Sequence, residues 1–341
     1  MRLEATWIAA FEQAFRLCGV QPGDACAVLS QTQTRPELPQ LAELALLRLG
    51  ARPFHLVLPA APLAAPVPVR STGASDAIGG LEPVVAALAG CAFFADCTVE
   101  GLMHAPELPR ILAGGARGLY ISHEHPEILE RCLPRADDEA PVREAMRRLK
   151  AAREMHVQSA AGTDLRIALA GARIGGVWGF TSRPGSFSHW PGGLVLAFPA
   201  AGSVHGTLVL DRGDVNLTFK RYLHDPVRLV IEHDHAVRVE GDNVDAELMR
   251  GQFDAWGDAA ATAVSHVGWG LNRRARWDAM HFYDKADFNG TELRAFAGNF
   301  LYSTGANEVA GRHTLGHFDL PLRGCTVALD GVPVVEAGHL L

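Results

Sequence analysis

Residues 25–59 read ACAVLSQTQTRPELPQLAELALLRLGARPFHLVLP, and this stretch decides the fold class of the first half of the chain. Its two ends, ACAVLS and RPFHLVLP, are short and apolar, which is typical of buried strands. Between them, PELPQLAELALLRLG has apolar residues at helical spacing. A strand that leads through one helix to the next strand is the unit of a parallel sheet. The stretch therefore predicts a parallel sheet covered by helices.

The same alternation continues on both sides of this stretch. A helix over residues 3–17 comes before the first strand. After a proline-rich connector, the helical segments EPVVAALAGC and PELPRILAGG alternate with the strands AFFADC and GLYIS, and PVREAMRRLKAAREMH forms a closing helix. We therefore predict an α/β domain of Rossmann-like appearance, with a mainly parallel sheet, over residues 1–155. It carries no phosphate-binding glycine motif, so nucleotide binding is not predicted.

The pattern changes after this point. Segments such as GTLVLDRGDVNLTF, PVRLVIE and AVRVEG are short, rich in β-branched residues and separated by Gly, Pro or Asp. One helix, NVDAELMRGQFDAW, interrupts them. Such strands favour antiparallel pairing. We predict an α+β domain rich in antiparallel strands over residues 156–341, and we expect this domain to be catalytic.

Composition excludes several classes of protein. A net charge of −7, with no Lys/Arg cluster among aromatic residues, does not indicate a nucleic-acid partner. The most apolar stretch, LVLPAAPLAAPVPV, contains four prolines, so we predict no membrane-spanning helix. Six scattered cysteines without a CxxC motif indicate reduced thiols and a cytoplasmic protein.

The stretch GHFDLPLRGC, at residues 316–325, contains the first candidate site. His317 and Asp319 lie two residues apart in a predicted strand, so their side chains share one face. A carboxylate in an apolar strand is costly to bury unless it is paired or bound to a cation. Pairing of Asp319 with Arg323 or with a lysine is the structural interpretation, and metal binding is the functional one.

A metal would need a further ligand, and the best candidate is His266 in AVSHVGWG. Glycines next to it allow close approach of the backbone. Two histidines and one carboxylate form the facial triad of non-haem Fe(II) enzymes. A zinc hydrolase also uses such ligands, so the ligand types alone do not settle the metal.

The other paired histidines have simpler interpretations. His123 and His125 flank Glu124 in a predicted polar loop before a helix, where a cap is expected. The sequence His-Asp-His at residues 233–235 lies between two strands and predicts a hairpin turn. His55 lies within a predicted strand of the first domain, and we expect a hydrogen-bonded core histidine there.

Five segments occur in order between residues 188 and 325: HWPGG, GTLVLDRGD, SHVGWGL, AFAGNFLYSTG and GHFDLPLRGC. Together they resemble the 2,5-dihydroxypyridine 5,6-dioxygenase family of nicotinate catabolism, which shares a fold with the thermophilic M29 aminopeptidases. The similarity extends to MHAPELPRIL at residues 103–112. It implies that His266, His317 and Asp319 bind one non-haem Fe(II).

The resemblance also implies a reaction. Family members open a dihydroxylated pyridine ring in an extradiol-type reaction with both atoms of O2, which gives N-formylmaleamate. His189 of HWPGG would be the catalytic histidine, as a proton shuttle or hydrogen-bond partner of the substrate. Ser303 and His104 are further candidates for substrate contacts. A homo-oligomer is expected by analogy.

One residue departs from the family pattern, which places a glutamate before an aromatic-Gly-aromatic triplet as a substrate contact. Here the triplet is WGF at residues 178–180, and Val177 precedes it. Loss of such a hydrogen bond costs about 1–3 kcal/mol. Either another group supplies the contact, or the substrate is a related ring.

Two alternatives are weighed against the dioxygenase. An M29-like metallo-aminopeptidase would use two metals bridged by carboxylates, for which Asp278 and Glu308 are the available extra residues. The second alternative is a binding protein that kept the fold after losing catalysis. The intact ligand triad argues against it, because buried ligands without a metal would destabilise the fold.

Overall fold

The computed structural model of the chain describes residues 2–60 and 76–341. Most of the predicted proline-rich connector lies outside these residues. The α-helices are α1 (Ala5–Leu17), α2 (Glu37–Arg48), α3 (Glu82–Ala89), α4 (Leu108–Ala113), α5 (Pro126–Arg131), α6 (Glu139–Ala151), α7 (Val244–Trp256) and α8 (Thr291–Ala295).

The strands of the first half and of its continuation are β1 (Ala25–Gln31), β2 (Arg52–Leu58), β3 (Phe93–Asp96), β4 (Arg117–Ile121), β5 (Glu154–Ser159), β6 (Asp164–Ala168), β7 (Arg173–Val177), β8 (Phe187–Trp190), β9 (Leu194–Phe198) and β10 (Val204–Leu210). The remaining strands are β11 (Val215–Asn216), β12 (Arg221–Tyr222), β13 (Val227–Glu232), β14 (His235–Glu240), β15 (Val264–Gly270), β16 (Phe300–Thr304), β17 (Phe318–Leu322), β18 (Cys325–Leu329), β19 (Val332–Glu336) and β20 (His339–Leu340).

The first sheet has the strand order β2-β1-β3-β4-β8, and all of its neighbouring strands are parallel. Alternate residues of β1 enter two different cores. Val28 packs in a cluster with residues of α1 and α2, whereas Leu29 packs in a second cluster with residues of α3 and α4. Helices therefore cover both faces, which confirms the predicted α/β architecture with a parallel sheet.

The edge strand β2 contradicts one expectation. His55 was expected in the core, but it is exposed, and its Nε2 lies 3.4 Å from Oε2 of Glu43. β2 has a neighbouring strand on one side only, and Leu58 is its one buried residue, so the position of His55 lies at the surface.

The other edge of the first sheet comes from later in the chain. α6 ends at Ala151, and the predicted boundary between residues 155 and 156 lies inside β5 (Glu154–Ser159). However, β8 pairs with β4, with Tyr120 opposite His189. The first sheet is thus completed by residues beyond 155, because the backbone of β8 pairs with the outer edge of β4.

The second half contains an eight-stranded sheet, in the order β14-β13-β10-β6-β5-β18-β19-β20, and a five-stranded sheet, in the order β17-β16-β15-β9-β7. The neighbouring strands of both sheets are antiparallel. One core cluster combines apolar residues of both sheets with α7. These strands confirm the predicted part rich in antiparallel strands.

Two predicted loops have the expected form. The imidazole of His125 accepts a hydrogen bond from the backbone N–H of Glu127 and caps α5. His233 and Asp234 have positive φ angles of 48° and 77° in the tight turn between β13 and β14. Among the described residues, no helix combines the length and the apolar character needed to span a membrane.

Candidate metal centre

The five-stranded sheet has two faces with different roles. Residues directly opposite each other in an antiparallel pair point to the same side. Val267 and Trp269 of β15, with Phe300 and Tyr302 of β16, point into the core shared with the eight-stranded sheet. The alternate residues of the same strands therefore point to the opposite face, which looks toward the first sheet.

Register brings the predicted ligands together on that opposite face. His266 of β15 lies opposite Ser303 of β16, and Ser303 lies opposite Asp319 of β17. His317 directly precedes β17 and is two residues from Asp319. Three neighbouring strands thus place two imidazoles and one carboxylate side by side.

The ligand atoms of these three residues all lie within 4.8 Å of one another. Oδ1 of Asp319 is 3.2 Å from Nε2 of His317 and 3.7 Å from Nε2 of His266. All three residues are buried. Among the described residues, these three form the one group of at least three His, Cys, Asp or Glu side chains that are close enough to hold a metal ion.

Asp319 is held by two donors. The Nε of Arg294 donates to Oδ2 over 2.6 Å, and the hydroxyl of Ser303 donates to Oδ1. Burial alone would raise the pKa of this carboxyl, but the charges of Arg294 and His317 hold it well below its usual range. Asp319 is therefore an anion whose Oδ1 faces both imidazoles.

The partner of Asp319 differs from the one considered in the sequence. Arg323 instead lies beside Asp214, whose Oδ1 accepts a hydrogen bond from the Arg323 backbone N–H over 2.8 Å. Arg294 belongs to the short helix α8. The ion pair with Asp319 does not exclude metal binding, since it leaves Oδ1 directed at His266 and His317.

The tautomer of His266 follows from its neighbour Ser265. The Ser265 hydroxyl is 2.5 Å from the carbonyl oxygen of Ala306 and 3.0 Å from Nδ1 of His266. Because the carbonyl can only accept, the hydroxyl proton is donated to it, and the hydroxyl oxygen accepts from Nδ1–H. This leaves the lone pair of Nε2 directed toward Asp319. Burial lowers the pKa of His266 to about 3, so the ring is neutral.

The opposite wall of the cavity belongs to the first sheet. Ligands bind at the carboxyl ends of parallel strands in α/β folds, and residues at the ends of β4 and β8 and in the loop after β3 reach the cavity here. His104, Tyr120 and His189 line it from this side. The ring centroid of His104 is 5.4 Å from that of His317, and burial lowers the pKa of His104 to about 4.

His189 is fixed with one nitrogen available. Its Nδ1 lies 2.6 Å from the carbonyl oxygen of Pro191, which can only accept, so Nδ1 carries the proton. Burial lowers the pKa of His189 to about 4. At neutral pH the ring therefore offers the unprotonated Nε2 as a proton acceptor.

The structure places the two other predicted substrate contacts farther from the cavity. Ser303 is fully buried, and its hydroxyl is bound to Asp319. Val177 lies on the cavity face of β7, opposite Leu194 of β9. It packs against a small cluster that includes Leu194 and Leu301, which line the cavity, but Val177 itself is not in the lining.

Several cavity residues were missed by the sequence reading: Glu100, Tyr120, Asn289, Thr291 and Arg294. Arg294 stands directly before the segment AFAGNFLYSTG, so its position beside that motif was the available signal. Glu100 and Asn289 lie in loops, where no periodicity marks the direction of a side chain, and Tyr120 and Thr291 lie in β4 and at the start of α8.

The donor set fits a single metal ion. Two imidazoles and one carboxylate are a common donor set for a metal, and both His266 and Asp319 are already in the deprotonated form that ligands require. A two-metal site would need more carboxylates. Asp278 and Glu308 do not supply them, because neither lines the cavity or belongs to the group formed by His266, His317 and Asp319.

The fold and the site define a class of two-part proteins in which one group of candidate metal ligands lies between a parallel and an antiparallel sheet. Within this class, residues 6–341 match the family model of 2,5-dihydroxypyridine 5,6-dioxygenase. The chain belongs to this family, which confirms the predicted enzyme class, a ring-cleaving dioxygenase.

Individual relatives agree with this membership. A 2,5-dihydroxypyridine 5,6-dioxygenase from Pseudomonas putida KT2440 is 37% identical over 335 residues, which cover 97% of this chain and 95% of that protein. The solved structure of 2,5-dihydroxypyridine dioxygenase from Pseudomonas putida KT2440 aligns with a TM-score of 0.94 at 36% identity, over 100% of this chain and 98% of that one.

A more distant structure shares the fold alone. AmpT from Thermus thermophilus aligns with a TM-score of 0.66 at 16% identity, over 98% of this chain and 99% of that one. This similarity supports the predicted relation to the M29 fold. Its identity is too low to carry an activity.

Proposed function

We propose that this protein is an Fe(II)-dependent, extradiol-type dioxygenase that opens the ring of 2,5-dihydroxypyridine, or of a closely related hydroxylated N-heteroaromatic compound. With 2,5-dihydroxypyridine the product would be N-formylmaleamate. The observation that carries the proposal is the buried group of His266, His317 and Asp319, which faces a cavity in a chain of this family.

His266, His317 and Asp319 would hold the iron, with Oδ1 as the carboxylate donor. When bound, Fe(II) supplies the redox chemistry by which O2 reacts with an aromatic ring, which side chains alone cannot provide. The positive charge of Arg294 offsets the negative charge of Asp319. The centre therefore remains strongly positive, which favours a ring hydroxyl in its deprotonated, anionic form.

The residues around the ligands have separate tasks. His189 would accept the proton of a ring hydroxyl at Nε2, because Nδ1 is committed to Pro191. His104, on the same wall, would contact the substrate. Leu194, Leu196 and Phe198 form an apolar wall suited to the face of a flat ring. Such a wall also keeps water from the reacting atoms.

The identity of the ring is open to a specific test. Fe(II)-loaded protein, prepared without oxygen, is expected to consume O2 when 2,5-dihydroxypyridine is added, in proportion to the ring that is lost. Substitution of Asp319 by alanine is expected to abolish both iron retention and O2 uptake while the first sheet stays folded. Equal turnover with Zn2+ and without O2 consumption would contradict the proposal.

Two further proposals concern the setting of the enzyme. We propose a cytoplasmic location, which is supported by six buried cysteines with free thiols. We also propose a homo-oligomer, which rests on the family resemblance. Light scattering of the purified protein gives its mass in solution, and a monomer at micromolar concentration would contradict the second proposal.

A further inference from the structure

One aromatic ring of the apolar cavity wall lies next to a candidate metal ligand. Phe198 is the last residue of β9 and lines the cavity after Leu194 and Leu196 of the same strand. The centroid of its ring is 5.4 Å from that of the His266 imidazole. An aromatic compound that is held beside His266 therefore meets the Phe198 ring, and its stacking depends on where this ring is fixed.

The neighbouring strand β7 supplies the residue that covers this ring. Antiparallel pairing places Arg173 directly opposite Phe198. Residues opposite each other in such a pair point to the same side, so Arg173 lies on the cavity face of the sheet. Its guanidinium carbon is 4.7 Å from the centroid of the Phe198 ring, which is within the range of a cation–π interaction. Strand register therefore produces this contact.

A glycine of β7 provides the space for the ring. Gly175 is two residues from Arg173, and a Cβ atom at Gly175 would lie 3.7 Å from Cε2 of Phe198. The Phe198 ring therefore extends over the backbone of β7. β9 lies between β7 and β15 in the sheet. The ring is thus in contact with both neighbouring strands, through Arg173 and Gly175 on one side and His266 on the other.

The other interactions of Arg173 place it at the rim of the cavity. Its Nη1 is 3.6 Å from Oε2 of Glu308, and the two side chains are 55% and 64% exposed. Exposed ion pairs contribute little to stability. The charge of Arg173 nevertheless reaches the opposite wall. Burial is the main cause of the lowered pKa of His104, and the positive charge of Arg173 lowers this pKa further.

We infer that Arg173 is a positioning residue for the aromatic substrate, because it holds the Phe198 ring as a stacking surface beside His266. The inference rests on the proposed function. Arg173 does not line the cavity itself, so it acts through Phe198. The face of a phenyl ring carries partial negative charge. A cation against Phe198 therefore also reduces the repulsion between this ring and an electron-rich, ionised hydroxypyridine.

A double-mutant cycle tests whether Arg173 acts through Phe198. Steady-state kinetics with 2,5-dihydroxypyridine compare iron-loaded wild type, Arg173→Met, Phe198→Leu and the double variant. Methionine keeps an unbranched side chain but removes the charge. Arg173→Met is expected to raise the Michaelis constant roughly 3- to 10-fold, with kcat within about twofold of wild type. In the Phe198→Leu background the same substitution is expected to change the Michaelis constant less than about 1.5-fold.

Three further variants separate the stacked cation from other effects. Arg173→Lys keeps a positive charge beside the ring, so its Michaelis constant is expected to lie between those of wild type and Arg173→Met. Glu308→Gln removes the ion pair but leaves the stack, and we expect wild-type constants. Arg166→Met is the matched control. Arg166 is an exposed arginine of β6 in the eight-stranded sheet, with one ion pair to Glu154 over 3.0 Å, and its loss is expected to change neither constant.

The outcomes distinguish the proposed function from the assignment of Arg173. If wild-type protein consumes no O2 with any dihydroxypyridine, the proposed function fails. If wild type is active but Arg173→Met leaves the Michaelis constant unchanged, or raises it equally with and without the Phe198 ring, only the assignment of Arg173 fails. Equal constants for Arg173→Lys and Arg173→Met would also overturn it, even if Phe198→Leu does not fold. A lower melting temperature or iron content in Arg173→Met would show a structural role instead.

Discussion

At the scale of single residues, the hydroxyl of Ser265 decides which nitrogen of His266 can bind a metal. We expect Ser265→Ala to reduce metal affinity roughly 10-fold, within the range found for partners of ligating histidines, because Nδ1 then has no fixed acceptor. Competition with a chelator of known affinity measures the change.

Ser203→Ala is the matched control for this prediction. Its hydroxyl also donates to a backbone carbonyl, that of Ala200, but contacts no imidazole. Equal losses of metal in both variants would show that the effect comes from general destabilisation and not from the tautomer of His266.

His189 gives a prediction for pH. Its pKa of about 4 in the folded protein lies below the ordinary value of 6.5, so the neutral ring is favoured by folding. The resulting stability is present above pH 6.5 and is lost as the pH falls toward 4. This loss amounts to about 3 kcal/mol. In His189→Asn, which keeps an N–H donor, the metal-free protein is expected to lose less stability over this window.

Urea unfolding of the metal-free protein at pH 7 and at pH 4.5 measures this difference. Wild type and His189→Asn share all other titrating groups, so subtraction isolates the contribution of the ring. Parallel pH profiles for the two proteins would contradict a buried, neutral His189.

The sequence predicted part of the site for a clear reason. His317 and Asp319 follow from strand alternation, because side chains two apart share a face. Arg294 could not be predicted in this way, because its ion pair with Asp319 joins two elements that are brought together only by the whole fold. His55 was misassigned because apolar neighbours in sequence do not reveal that a strand lies at the edge of a sheet.

At the scale of elements, Gly268 controls the pairing of β15 with β9. A Cβ atom at this position would lie 1.9 Å from the carbonyl oxygen of Val195. We therefore expect Gly268→Ala to lower the free energy of unfolding by about 3 kcal/mol or to prevent accumulation of soluble protein. Thermal melting and the soluble yield measure the effect.

Gly251 provides the opposite case in α7. A Cβ atom there would meet nothing within 4 Å, and the position is exposed within the helix. Gly251→Ala is expected to raise the free energy of unfolding by about 0.5–1 kcal/mol, because alanine restricts the unfolded chain and favours helix. A destabilising effect would show that an unseen constraint acts on α7.

Elements were predicted better than their assembly. The change between helical and strand periodicity predicts the order of helices and strands in the first half, and the structure shows the same order. The assignment of β8 to the first sheet could not be read in this way. The four residues FSHW predict a short strand without indicating which strand they pair with, and the pairing with β4 depends on long-range packing.

At the scale of the whole molecule, Glu124 connects the two halves of the chain through hydrogen bonds. This buried carboxylate accepts from the backbone N–H groups of Asn289, Gly290 and Thr291 over 2.9, 2.8 and 2.7 Å. These groups form the beginning of α8, which carries Arg294. The loop after β4 thus holds the segment that reaches across to Asp319.

We expect Glu124→Gln to lower the free energy of unfolding by about 2 kcal/mol, because an amide group would face one of the three donors. Chemical denaturation measures the loss. Glu127→Gln, which changes an exposed carboxylate of α5 nearby, is expected to stay within about 0.5 kcal/mol of wild type. Equal stabilities of all three proteins would contradict the role given to Glu124.

The return of the chain to the first sheet also has a consequence during synthesis. β4 ends at Ile121 and its outer neighbour β8 begins at Phe187, so about 65 residues must be translated between them, which takes roughly 3–13 s at typical rates. During that time the nascent chain exposes the unpaired edge of β4, and such an edge is a template for association with other chains.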